Sequence, residues 1–477
     1  MSTPSGTSAQ PHVLIVGAGI GGVLLGALLE KAQIPYTIFE RAASVKPLGS
    51  AMSIGGQVMD VFSQLELYEK YRPLAKPFDR SVLIKESGEQ ILEMDYTLWE
   101  ELCGDQNLIV ARPVLYRLLL DLVPNEKIHY SKRVLTISEE NDKVHIETAD
   151  GSSYEGDILV GADGAYSGVR KSLFEQLLKQ GKLPKSDQED LPFRCTCLVG
   201  ETEPLDLEVF HQPKDSYYPI MTTMCDDKPF AHYLFATAQA TICWVVIRFH
   251  DTYSTKSALE KQFRKEDNSE WGPVAAQFMY DETKDLPIIL GDVSRTLADI
   301  FDRTDKDRMS LVMLEEKLFQ TWHHGRTVLL GDACHKMHPA GGQGAITAMH
   351  DAIALANLLY ALPSNSNSDI ENTFNEYRTE RYPPAEASFG GSQLQSRIQN
   401  RGLGGIITLA FMKYMPVWVW RMMLANVVKN RPYLGFLPRI EPRGSITAAL
   451  SHSTEKARVL FEKRQAAAAA AAASVAV

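Results

Sequence analysis

Four short apolar runs without an internal turn residue punctuate the chain: His12–Val16, Tyr36–Phe39, Ile158–Val160 and Thr327–Leu330. Runs of this length fit strands covered on both faces, as in a parallel sheet. An apolar pattern of helical period follows the first, from Ile20 to Lys31, and another follows the last, from Ala345 to about Leu362. Strand leading straight into helix is the unit of an α/β fold. Between these landmarks, Val58–Tyr71 and Pro113–Leu122 read as helices, with Pro113 at the first helical position and Arg112 at the N-cap. Ser81–Tyr96 alternates as a hairpin around Ser87-Gly88. Lys127–Asp157 reads as a meander of Ile128–Tyr130, Val134–Glu139 and Val144–Thr148. Phe193–Phe249 is rich in β-formers and aromatics, among them Tyr217, Tyr218, Tyr233, Phe235 and Trp244, and suits a sheet. Residues 251–310 read as helical and polar, Pro363–Asp369 as a linker, and Ala466–Ala473 as low-complexity sequence outside the core. Met1–Pro11 is polar, lacks an apolar core of the secretory type, and is expected to be disordered.

The first strand and helix enclose Gly17-x-Gly19-x-x-Gly22, and the next strand ends in Glu40. In this setting the glycines form a dinucleotide fingerprint. Gly17 permits the tight turn, Gly19 lets a pyrophosphate approach the backbone, and Gly22 lets helix and strand pack closely. The helix start offers free N–H groups and a favourable dipole to the anion, and Glu40 is placed to bind ribose hydroxyls. Two further turns follow buried strands. One is Gly161-Ala162-Asp163-Gly164-Ala165-Tyr166-Ser167-Gly168-Val169-Arg170. The other runs from Gly331-Asp332 through Cys334, His335 and Pro339 to Gly344, just before the last long helix.

Length and charge narrow the class. A chain of 477 residues suggests two or three domains. A net charge of −10 argues against a nucleic-acid partner. The six cysteines show no CxxC spacing, so neither a disulfide framework nor a zinc site is suggested, and a reduced intracellular compartment fits. His335 and His338 lack acidic or cysteine partners at ligand spacing, so no metal is expected there.

Taken in order, the three turns resemble those of the single-component FAD-dependent aromatic hydroxylases, the group A flavoprotein monooxygenases. Within that superfamily the chain is similar to the fungal meroterpenoid and indole-diterpene epoxidase-like branch. The resemblance runs from about Val13 to Leu362. It implies an α/β fold: a Rossmann-type FAD-binding domain, a β-sheet substrate domain and a C-terminal helical segment. The implied FAD-binding parts are 1–80, 101–185 and 291–390, with the substrate domain at 81–100 and 186–290 and the helical segment at 391–477. It also implies roles. Glu40 would hold the adenosine ribose of FAD, Arg112 would contact the cofactor, and Asp163 would serve both FAD and the nicotinamide donor. Arg170 would brace the middle turn, Asp332 would bind the ribityl hydroxyls, and Gly344 with Ala345 would present backbone N–H to the flavin ring. Ser53 lies in a loop that reaches the flavin in relatives. The implied reaction uses NAD(P)H and O₂ through a flavin C4a-hydroperoxide to hydroxylate or epoxidise a hydrophobic small molecule, as in secondary metabolism. The donor would bind transiently, since only one fingerprint is present. Tyr217 and Tyr218 are the catalytic candidates of the substrate sheet, able to orient a substrate hydroxyl or alkene; each also suits a half-buried strand position with no such role.

Gly402–Val428 is strongly apolar but interrupted by Lys413, Pro416 and Arg421, which makes it a poor spanning helix. Seven Lys or Arg and one acid, Glu441, fall between Arg401 and Arg443. The stretch reads either as an interfacial segment on the cytoplasmic face of an endomembrane, with residues 402–443 meeting the lipid, or as a buried helical layer on the FAD domain. Rival functions on the same scaffold are a flavin reductase or halogenase, or a flavoprotein without turnover. Trp418-Val419-Trp420 is followed by Arg421-Met422 and lies far downstream, unlike a halogenase W-x-W-x-I-P.

Overall fold

A computed structural model of the chain describes residues 10–45, 49–206, 217–254, 270–271, 273–290, 293–399 and 403–475. The expectation for the N-terminal tail therefore falls almost wholly outside the described residues. The fold is α/β with mixed sheets, and its centre is a six-stranded sheet. Five strands are parallel, in the order Thr327–Leu329, Ile158–Gly161, Val13–Val16, Tyr36–Phe39 and Ile128–His129; His323–His324 adds an antiparallel edge. The register sets Val13 beside both Ile158 and Tyr36. Leu14, Ile15, Leu159, Val160, Val328 and Ile38 have no exposed surface. Helices Ile20–Ala32 and Gly344–Tyr360 pack against each other on this sheet and share its core.

A second sheet of eight strands forms a roof. It runs Glu270–Trp271, Ser310–Glu315, Phe193–Glu201, Ile242–Ser254, Phe230–Ala236, Ile220–Met224, Arg80–Lys85 and Gln90–Asp95. Neighbours are antiparallel except Ile220–Met224, which runs parallel to Arg80–Lys85. The hairpin turns at Gly88, whose φ of +85° favours glycine. Ser310–Glu315, within the expected third FAD segment, pairs with Phe193–Glu201 of the roof.

The structure corrects several element expectations. Ile128–His129 is not part of the meander; it pairs with Tyr36–Phe39, and the meander is completed by Ser153–Gly156. Strand type was legible in that run, but partner choice depends on distant chain. Of residues 251–310, only 251–254, 270–271, 273–290 and 293–310 are described, and those are mixed rather than mainly helical. They hold the end of a long strand, the hairpin Pro287–Leu290 with Val293–Thr296, and helices Pro273–Thr283 and Leu297–Phe301. Arg112 is the first helical residue, with Ala111 at the N-cap, so Pro113 sits second. Val58–Tyr71 divides into Gly56–Gln64 and Tyr68–Tyr71. As expected, the alanine tract lies outside the core: it is helical, within His452–Val475, and exposed through Ala472, while Ala457 of the same helix is buried.

Gly17 is where this packing is least forgiving. Its φ is +106°, and a Cβ there would lie 2.5 Å from the Ala162 carbonyl oxygen and 2.8 Å from Asp163 Cα. Gly17→Ala is expected to destabilise the fold by roughly 1–3 kcal/mol through strain alone, more if the clash displaces the middle turn. Urea denaturation followed by circular dichroism measures this.

Candidate functional site

Strands that are adjacent and parallel end at the same edge, and in open α/β sheets ligands bind outside that carboxyl edge. Here Val13–Val16, Ile158–Gly161 and Thr327–Leu329 are neighbours, and each of the three turns leaves the carboxyl end of one of them. The turns also touch. Gly17 packs on Ala162 and Asp163, while Gly21 and Gly331 both lie against the Ala348 side chain. Arg170 joins the second turn to the third: its guanidinium donates to Ala333 O at 2.8 Å and to Ala165 O. It lies over the Phe319 ring, 4.2 Å from its centroid.

The first turn is braced by Glu40, which accepts from Ala18 N and Ala42 N, each at 2.9 Å. Those bonds hold the fingerprint loop and leave carboxylate lone pairs for hydroxyl donors. Nothing lies within 4 Å of a Cβ placed on Gly19, so the protein's own packing does not require glycine there and the backbone is open to a close approach from outside. Gly22 is required by the protein, since its Cβ would meet Gly17 O at 2.1 Å. Helix Ile20–Ala32 starts at Gly19 with no side-chain cap. Its first N–H groups therefore face an anion site with no competing acceptor.

In the second turn Asp163 Oδ2 accepts from Gly168 N at 2.7 Å and Val169 N at 3.2 Å. Its Oδ1 is buried and has no partner among the described residues. Burial raises the carboxyl's pKa against the opposing pull of these bonds. A buried acceptor without a donor is costly, and a ligand hydroxyl or an ordered water would satisfy it.

In the third turn Asp332 accepts from Lys336 Nζ at 2.8 Å. Burial would raise its pKa, but the charges of Lys336, His335 and Arg112 outweigh that and hold it low. Arg112 thus acts on Asp332 from the start of its helix, although its own side chain is exposed. Helix Gly344–Tyr360 begins without a side-chain cap at Gln343, and nothing lies within 4 Å of a Cβ on Gly344. Gly344 and Ala345 therefore offer an open, positively polarised helix end. Ser53 lies on the short strand Ala51–Ser53, paired with the strand that leads into Arg112.

Beneath the third turn lies a support that sequence reading missed. Asp351 and His335 are fully buried and bonded at 2.5 Å. Arg381 donates to the other Asp351 oxygen at 2.9 Å, and Gly331 N donates to Asp351 at 3.2 Å. Cys334, His335 and Asp351 lie within 4.8 Å of one another. Arg381 already supplies the balancing positive charge, and Cys334 holds its proton because burial raises its pKa. The visible hint was an acid inside an otherwise apolar helix pattern.

The roof sheet presents two unlike faces. Leu198, Leu234, Trp244 and Val246 pack under helices Pro273–Thr283 and Leu297–Phe301. The alternate positions, including Cys197, Tyr233 and Ile247, form a second apolar cluster. Its margin of Val199, Ile220, Phe235, Val245 and Val312 is only partly buried. The roof is tied to the second turn where Tyr166 donates to Glu315, at the end of Ser310–Glu315. Tyr233 and Phe235 stack along this second face, 6.1 Å between centroids. Tyr218 precedes the strand Ile220–Met224, and burial raises its phenol pKa. Tyr217 is 39% exposed, and its hydroxyl accepts from Gln106 Nε2. No hydrogen bond or ring contact described here links either tyrosine to the three turns.

The fold and these turns define a flavin-binding α/β protein with a separate β-roof. The family model described as FAD binding domain matches residues 10–389, and the chain belongs to that family. It stands among FAD-dependent monooxygenases. It is 28% identical over 412 residues to the FAD-dependent monooxygenase ptmM of Penicillium ochrochloron, covering 84% of this chain and 92% of the relative. It is 28% identical over 444 residues to paxM of Penicillium paxilli, covering 90% and 88%. Among solved structures, Klebsiella pneumoniae HpxO with FAD and uric acid shares the fold, with a TM-score of 0.65, 19% identity and coverage of 88% and 97%.

Burial opposes ionisation of Asp351, but His335 and Arg381 hold its carboxyl below the ordinary value of 3.8. A pKa lowered by folding gives stability present above the ordinary value and lost as pH falls through the folded one. Asp351→Asn should therefore flatten the acid limb of the stability–pH curve below about pH 4. At neutral pH it should cost about 3–5 kcal/mol, since Arg381 is left buried and unpaired. Urea titrations of both proteins across pH test this.

Proposed function

We propose that the chain binds FAD in extended form across the three turns, and uses it with NAD(P)H and O₂ to add one oxygen atom to a hydrophobic small molecule. The observation that carries this reading is the meeting of the three turns at one sheet edge, with an unpartnered Asp163 oxygen among them. Glu40 would hold the adenosine ribose, and the Gly17–Gly22 turn the pyrophosphate. Asp163 and Asp332 would take the ribityl and neighbouring hydroxyls, with Arg112 and Ser53 alongside. Gly344 and Ala345 would face the flavin ring, where their N–H groups favour the negative charge of the reduced ring. Bound FAD would supply the redox chemistry between a nicotinamide donor and O₂.

The remaining work falls to this chain's own residues. The half-open roof face of Val199, Ile220, Phe235 and Val245 would receive an apolar substrate and keep water from the flavin ring. That composition suits a prenylated, terpenoid or aromatic compound of secondary metabolism. Tyr218, kept protonated by burial, would donate a hydrogen bond to orient the substrate. For Tyr217 the contact with Gln106 supports a surface role more than a catalytic one. The FAD-binding unit would comprise 1–80, 101–185 and 291–390 apart from the strand Ser310–Glu315.

Purified protein given FAD should show flavin absorbance. With NADPH, O₂ and a panel of prenylated aromatics and terpenoids it should yield a product heavier by one oxygen. Donor oxidation without oxygen uptake would favour a reductase. Asp332→Ala should weaken FAD binding about tenfold, the loss of ~1.4 kcal/mol expected for one hydrogen-bonded charge. Phe235→Ser should retain flavin and raise KM severalfold; Phe235→Ser with unchanged KM would remove the roof face as the substrate wall.

A further inference from the structure

The C-terminal segment forms two short helices, Leu403–Lys413 and Val417–Val428, broken at Pro416. One side of the pair is anchored. Leu424 and Val428 pack with Trp99, Leu102 and Cys103, while Leu409 and Met412 pack with Leu83, Leu92 and Met224 of the roof. Trp420 Nε1 donates to Asp95 O, and Arg421 pairs with Glu101. The other side is open: Ile407 is 70% exposed, Tyr414 79%, Val417 73% and Trp418 68%, with Phe411 and Met422 each at 58%. Ile407 with Phe411, and Trp418 with Met422, are spaced four apart, so each pair shares one helix face. Large apolar side chains exposed together mark a contact surface.

We propose that this face docks on an anionic lipid bilayer, lying in its interface rather than crossing it. Length excludes crossing by either helix. They hold 11 and 12 residues, about 17 Å at 1.5 Å per residue, against roughly 30 Å of hydrocarbon. No helix among the described residues is long and apolar enough to span. Local charge favours anionic lipid over a second copy, because a two-fold contact would set two basic faces against each other. Residues 403–440 contain no Asp or Glu, in a protein of net charge −10. Lys413, Lys429 and Arg439 are exposed around the apolar face. Tyr414 and Trp418 at the helix junction have the amphipathic rings that settle at headgroup depth. Docking would set the Arg80–Asp95 edge of the roof near the bilayer, because Leu403–Lys413 packs on that hairpin.

The test is co-sedimentation of the full flavin-loaded chain with vesicles of phosphatidylcholine alone, and of phosphatidylcholine with phosphatidylserine. Binding is expected chiefly to the anionic vesicles and should weaken at high salt. Ile407→Ser with Trp418→Ser should lower the bound fraction at least fivefold, with flavin content and thermal midpoint unchanged. Lys413→Glu with Lys429→Glu should abolish the preference for phosphatidylserine. Failure of the wild type to bind either vesicle would overturn the proposal, as would equal pelleting of the Ser variant. A dimer lost in the Ser variant, without vesicle binding, would assign the face to a second copy instead.

Discussion

Everything at the site depends on parallel pairing of three strands distant in sequence. Val13–Val16 lies between Tyr36–Phe39 and Ile158–Gly161, and Ile158–Gly161 in turn pairs with Thr327–Leu329. A parallel ladder sends every strand's carboxyl end the same way, so the loops that leave these strands must meet. Turns separated by more than 140 residues thereby become neighbours without any contact specific to a ligand. The apolar runs supply the driving force, because strands covered on both faces remove the most apolar surface from water.

Meeting is not yet alignment, and buried charge supplies that. Arg170 bonds carbonyls of two turns, and Asp351 binds Gly331 N–H while paired to His335 and Arg381. Such groups contribute little net stability compared with apolar packing, but removing one partner is expensive. They penalise any arrangement in which the turns drift apart. Asn357 serves similarly further along the same helix: it donates to Tyr433 O and accepts from Gly435 N, tying the C-terminal segment to the core.

Local features of the fold were legible from sequence because they are set by local physics. Gly17, Gly88 and Gly331 have positive φ, which few other residues adopt cheaply, and the apolar runs declare buried strands. Long-range choices were not legible. Ile128–His129 could equally have continued the meander; only the open edge of Tyr36–Phe39 decides otherwise. Residues 287–296 carry charge and turn formers, which hid a hairpin. Asp351 and Arg381 are 30 residues apart, and no helical period joins them. Of the tyrosines, burial separates Tyr218 from the more exposed Tyr217, and burial is settled only once the chain has folded.

The roof illustrates how one strand pattern produces two surfaces of different use. Alternation places Leu234 and Val246 on one face and Tyr233 and Ile247 on the other. The first face is closed by helices that follow in sequence, and its Trp244 indole finds Thr304 Oγ1 at 3.0 Å. The roof meets the FAD-binding part where Tyr166 donates to Glu315, and no helix among the described residues joins the apolar cluster of the second face. Its apolar margin is too large to leave to water at no cost and too incomplete to count as core. A surface of that kind is stabilised when an apolar molecule fills it. On the proposed reading, substrate binding and water exclusion would then be one event on one sheet face.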